Sequence, residues 1–87
     1  MNIETTVHIW QEGDQFVAHA MPIDVMSSGA TSNAARAALD EAVRLFLKTA
    51  ADSGTLDELL EERGYRRSAD GWMSPAFVAL ERHAVAV

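Results

Sequence analysis

The sequence predicts an α+β domain, in which a small, mainly antiparallel sheet carries one long amphipathic helix packed on one face, in the order β-β-β-α-α-β. Two patterns predict this class. Apolar and polar residues alternate near the start of the chain, which is typical of a half-buried strand. Further along, apolar residues recur every three or four positions, which is typical of a helix with one buried side. With 87 residues the chain has the length of one domain, so we expect residues 1–87 to fold as a single unit.

The predicted sheet begins with a β-hairpin. Residues 3–10 alternate in hydropathy, the residues around Gly13 favour a turn, and residues 16–20 are typical of the returning strand. Pro22 has no N–H to give to the sheet and is expected to end that strand. A short third strand is predicted over residues 25–28.

The clearest element is a helix over about residues 32–52, with a continuous apolar stripe and charged residues opposite it. Thr31 or Ser32 is expected to cap its N-terminus. A second, short helix is predicted to start with a capping box, in which Glu58 returns a hydrogen bond to the backbone N–H of Thr55.

The rest of the chain is predicted to contain more strand. Gly64 is the expected residue just past the second helix, because glycine readily takes the left-handed conformation there. Asp70 and Gly71 form a turn signal for a small hairpin. Residues 77–87 are rich in valine and alanine and are predicted to form the final strand.

Composition and charge exclude several classes of protein. The net charge is −6 and no cluster of cations is present, so the chain lacks the electrostatic footprint of a nucleic-acid binder. An acidic domain is better suited to a basic protein partner, although excess acid also serves solubility. Without cysteine there is no disulfide framework, and no apolar run reaches the roughly 20 residues of a membrane span. We expect a cytoplasmic protein without membrane contact.

No motif for catalysis or cofactor binding is present. The three histidines lack the spacing of metal ligands, and the glycines are scattered singly, so no phosphate cradle is indicated. Four carboxylates could in principle share a divalent cation; these are Asp14, Asp24, Asp40 and Glu41. Nothing in their spacing shows that they converge on one site. We therefore predict that the chain is not an enzyme and has no catalytic, cofactor-binding or metal-binding residue.

Partner-binding candidates come from two kinds of pattern. Exposed tryptophans are typical interface anchors, and a run of acids on the second helix suits a basic partner. The candidates are His8, Trp10, Asp57, Glu58, Glu61, Glu62 and Trp72. For each pattern a plainer interpretation stays open. A run of acids like this one is usually a solvated helix face. A register shift of one would pack Trp10 under the C-terminal segment.

Several short motifs resemble those of the HicB antitoxin family, over roughly residues 3–50. They are Phe16-Val17-Ala18, Ser28-Gly29-Ala30-Thr31, Ala35 opening an alanine-rich helix, Glu41-Ala42 and Leu45-Phe46-Leu47. The resemblance implies a pared-down ribonuclease H-like core and a homodimer or homotetramer. It also implies a small basic partner, a HicA-like toxin that cleaves mRNA and is blocked by occlusion.

The chain departs from the family pattern at three places. Ile23-Asp24 replaces a Pro-Gly turn, and Ala34 stands where a capping Glu is common. No DNA-binding appendage follows the last predicted strand, so we expect no separate DNA-binding domain and no direct DNA binding. The leading hypothesis is a HicB-like antitoxin or antitoxin-derived binding module. The alternatives are a self-associating structural domain or a residual Mg²⁺-dependent nuclease, which would require several carboxylates around the metal.

Overall fold

A computed structural model describes residues 1–87 and contains two helices and six strands. Their bounds are β1 Asn2–Ile3, β2 Thr6–Glu12, β3 Gln15–Met21, β4 Val25–Gly29, α1 Ser32–Asp52, α2 Leu56–Glu62, β5 Arg66–Ser68 and β6 Gly71–Met73. The strands β2, β3 and β4 form an antiparallel sheet against which α1 packs. The predicted α+β class is therefore confirmed. Neither helix is long and apolar enough to cross a membrane.

The hairpin of β2 and β3 is set by a two-residue turn. Glu12 pairs with Gln15, which leaves only Gly13 and Asp14 between the strands. Gly13 takes a φ of +60°, the positive value that a type II′ turn requires at its first position. Because such a turn matches the twist of the strands, it also fixes which residues face each other across the hairpin.

Small residues let α1 lie close to the sheet. Ala18 and Ala20 of β3 and Ala35 of α1 are fully shielded from solvent, and Leu39 packs among them. Thr31 is the N-cap, and its hydroxyl accepts a hydrogen bond from the Ala34 N–H at 3.0 Å. The predicted helix and its capping residue are both confirmed.

A second, smaller sheet joins the start of the chain to residues 66–73. β6 pairs in parallel with β1 and antiparallel with β5. Tyr65, which precedes β5, and Leu60 of α2 are buried in the same core as α1. Arg63 ties α2 to the turn between β3 and β4, because its guanidinium donates to the Ile23 carbonyl at 2.7 Å.

The capping box predicted at the start of α2 is wrong. Thr55 is the N-cap, but its side chain makes no capping hydrogen bond; its hydroxyl donates instead to the Ala50 carbonyl at 3.3 Å. Only three residues separate the helices, so both the backbone N–H and the hydroxyl of Thr55 reach the Ala50 carbonyl at the end of α1. The other end of α2 is as expected, with Gly64 following the cap residue at a φ of +85°.

The final strand predicted over residues 77–87 does not form in the single chain. This segment belongs to no helix or strand and makes no backbone–backbone hydrogen bond. A strand needs a neighbour to pair with, and none of the chain's own strands takes up this segment. Most of its apolar side chains are consequently exposed, with Val78 at 98%, and residues 77–80 line a groove beside His8 and Met21.

The environment of Tyr65 predicts that the folded state loses stability at alkaline pH. Its buried hydroxyl donates to the Glu4 carbonyl at 2.5 Å, and burial, followed by the charge of Glu4, raises its pKa above the ordinary value of 10.0. Because the neutral phenol is favoured in the folded state, its contribution is complete below pH 10.0 and is lost as the pH rises through the folded-state pKa.

We expect the unfolding free energy of the wild-type chain to fall above pH 10.0 and that of Tyr65→Phe to fall less. Denaturant titrations at several pH values measure both slopes. Tyr65 is the sole tyrosine, so ultraviolet absorbance reports its ionisation directly. Equal slopes for the two proteins would contradict the assignment.

Candidate protein-binding face

One face of the β2–β3–β4 sheet is covered by α1, and the other carries a cluster of aromatic and apolar side chains. Strand pairing places His8, His19 and Met26 in one row across the sheet and Trp10 and Val17 in the next. These five residues, which we call the open face, alternate with the residues that contact α1. The alternation of β2 alone indicates the outward position of His8 and Trp10, and the structure places them there.

The rings on the open face contact one another. His8 stacks on Trp10 with ring centroids 4.9 Å apart and an interplanar angle of 25°. His19 meets His8 edge to face at 5.2 Å and lies 6.5 Å from Trp10. Aromatic pairs in these arrangements stabilise each other beyond simple burial, so the three rings form a cluster with fixed orientations.

Carboxylates hold two of the three rings. Asp24, in the turn between β3 and β4, lies with one carboxylate oxygen 2.6 Å from Nε2 of His19. Nε1 of Trp10 donates to Glu12 at 3.0 Å. Nδ1 of His8, by contrast, is buried and has no hydrogen-bond partner. The open face therefore combines apolar rings, an acidic border and one polar atom without a partner.

The acids of α2 are exposed but lie elsewhere. They are Asp57, Glu58, Glu61 and Glu62. α2 packs against α1, and no hydrogen bond or ion pair joins its acids to the open face. Asp57 is paired with Arg67 at 2.5 Å, and an ion pair so exposed contributes at most about 1 kcal/mol. The structure does not unite the two groups of predicted partner-binding residues.

The structure corrects the placement of Trp72. It is only 2% exposed and belongs to the core with Tyr65 and Leu60, so it is not a surface anchor. The reason is its position in β6, whose pairing with β1 holds it against the domain. The guanidinium of Arg67 lies over the ring at 4.5 Å, an arrangement that favours a cation–π interaction.

Sequence reasoning missed three members of the open face: Val17, His19 and Met26. A signal for the first two was available, because a two-residue turn at Gly13 and Asp14 sets His8 opposite His19 and Trp10 opposite Val17. Met26 required the register of β4, and nothing in the short connection at Pro22 specifies that register.

The structure gathers no metal-binding cluster. No group of three or more His, Asp or Glu side chains is close enough to hold an ion. The carboxylates considered for a divalent cation are thus not brought together; these are Asp14, Asp24, Asp40 and Glu41. The arrangement on the open face is suited to contact with a macromolecule through rings and apolar side chains.

Comparisons with family models, curated proteins and solved structures find no match to this chain. Any assignment of function consequently depends on the residues of the chain and on the geometry of the open face.

Proposed function

We propose that the chain is a HicB-like antitoxin module that binds a small basic, mRNA-cleaving toxin through the open face and blocks it by occlusion. The observation that carries the proposal is the aromatic and apolar cluster on the one sheet face that α1 leaves uncovered. All five residues of that face lie within the stretch that resembles the family.

The chemistry of the open face supports a protein partner. Tryptophan is enriched among the residues that dominate binding energy, and Trp10 is half-buried in a cluster that limits its conformational freedom. Methionine adapts its shape to a partner, and Met26 is 54% exposed. Glu12 and Asp24 at the border provide negative charge close to the rings.

The overall charge supports a basic partner. At a net charge of −6 the domain attracts cationic proteins over a distance, which raises the rate of association more than the final affinity. We assign the exposed acids of α2 to this steering. Occlusion requires no catalytic group on the domain itself, only an interface that covers the nucleolytic surface of the toxin.

If a small reading frame adjoins the gene, we expect co-expression with its product to give a stable complex. Trp10→Ala should weaken binding at least about tenfold, because a central aromatic anchor contributes on the order of 2 kcal/mol. Met26→Ala should weaken it about threefold. Titration calorimetry measures each dissociation constant, and circular dichroism checks that each variant is folded.

The chain offers a matched control for the methionine. Met73 is as exposed as Met26, at 54%, but lies in β6, away from the open face. Met73→Ala should therefore leave the affinity unchanged. The proposal fails if no complex forms, or if the two methionine variants lose affinity equally.

A further inference from the structure

Residues 77–87, which we call the tail, have the properties of a strand without a partner. They make no backbone–backbone hydrogen bond, and Leu80, Val85 and Val87 are almost fully exposed. Exposed strand-forming backbone is a template for pairing with another chain. The side chains of the last four tail residues, Ala84 to Val87, also carry no charge on a chain with 13 acids and 7 bases.

A second feature without a partner is the β4 edge of the β2–β3–β4 sheet. β4 pairs only with β3, so the outer backbone groups of residues 25–29 have no strand beside them. Next to this edge is a shallow cleft of about 520 Å³ between β4, α1 and α2. Its apolar lining includes Val25, Leu45, Phe46 and Leu59, and Leu45 is 64% exposed.

The tail and the cleft match in chemistry. No charged residue lines the cleft, so apolar side chains can enter it without stripping water from an ion. A strand added to the edge of β4 projects alternate side chains to the helix side of the sheet. The tail offers Val85 and Val87 at that spacing.

We propose that the tail of one copy adds as a strand to the free edge of β4 in a second copy, with its valines in the cleft beside Leu45. The exchange is reciprocal, so a closed two-fold dimer uses both tails and both clefts. Eleven extended residues span about 36 Å, which is sufficient to cross to a neighbouring domain. Main-chain hydrogen bonds supply affinity in this mode of binding, and the cleft supplies specificity.

This interface is independent of the proposed toxin binding. The cleft lies on the side of the sheet that α1 covers, and the open face lies on the other side. The start of the tail, residues 77–80, lines a groove with His8, and the proposed contact with the second copy is made by Val85 and Val87, farther along the tail. Failure of one proposal therefore leaves the other standing, because toxin affinity and oligomeric state are measured separately.

The absence of cysteine permits a direct test on the full-length chain. Single variants Leu45→Cys and Val85→Cys are mixed, oxidised and analysed on a non-reducing gel, and sedimentation measures the mass of the wild type. We expect a wild-type dimer and a disulfide-linked heterodimer of the two variants. Mixing Met73→Cys, at an exposed site away from the cleft, with Val85→Cys should give little cross-link.

Charge introduced into the cleft provides a second measurement. Leu45→Glu should raise the dimer dissociation constant at least tenfold, since it forces a carboxylate against the valines, and its exposure allows the monomer to fold. A monomeric wild type would overturn the proposal. Equal cross-linking by the Met73→Cys control would also overturn it. So would a disulfide-linked homodimer of Val85→Cys without the heterodimer with Leu45→Cys, because that result would indicate tail-to-tail pairing.

Discussion

Replacement of Gly29 by alanine should lower the free energy of unfolding by about 3 kcal/mol, because it forces a methyl group into the backbone of α1. A Cβ at this position would lie 2.6 Å from the Ala35 nitrogen and 2.8 Å from the Ala34 carbonyl carbon. Neither atom can move aside without displacing the first turn of the helix. For a domain of this size the midpoint of thermal unfolding should fall by roughly 15 °C.

Gly54→Ala is the matched control for this steric effect. Gly54 has a φ of +76° but no atom within 4 Å of its ideal Cβ, so alanine there meets only the left-handed backbone penalty of about 1 kcal/mol. Thermal and denaturant unfolding of both variants, at one protein concentration, measures the difference. If Gly29→Ala is no more damaging than Gly54→Ala, the close approach of β4 to α1 is wrong.

Leu39→Ala should cost about 3 kcal/mol of unfolding free energy. Leu39 is 1% exposed on the buried side of α1, next to alanines that cannot expand to fill the space. The lost burial and the remaining cavity both contribute to the cost. In an 87-residue domain, whose total stability is on the order of 5–10 kcal/mol, this is a large fraction.

The conservative variant Leu39→Met separates the effect of the cavity from the effect of the leucine side chain's shape. It keeps most of the volume, so it should cost less than about 1.5 kcal/mol. Denaturant titration gives the unfolding free energy and its dependence on denaturant concentration for both variants. A similar cost for alanine and methionine would show that the shape of leucine, not the cavity, dominates at this site.

The elements predicted correctly are those whose signals are local. The helix over residues 32–52 follows from a long apolar stripe and a capping threonine, both of which act within a few turns of backbone. The hairpin around Gly13 follows from alternation and a two-residue turn. Alternation along β2 places His8 and Trp10 on one face, so two of the five residues of the open face are visible in the sequence.

The elements predicted wrongly depend on what lies across space. The Thr55 hydroxyl bonds the end of α1 because the connection between the helices is short. Trp72 is buried because β6 pairs with β1, a residue pairing that spans most of the chain. The tail has a strand-forming composition, yet no strand of its own chain accepts it. The sequence pattern around each of these segments carries no information on which distant part of the chain lies beside it.

The sequence by itself determined the α+β class, the long helix and the position of His8 and Trp10 on one side of β2, because periodicity follows directly from backbone geometry. Only the tertiary structure decided that His19 and Met26 complete the open face, that Trp72 belongs to the core, and that the tail lacks a partner within the chain. The physical reason is that burial and strand pairing are properties of residues brought together from distant positions, and each depends on every other contact in the fold.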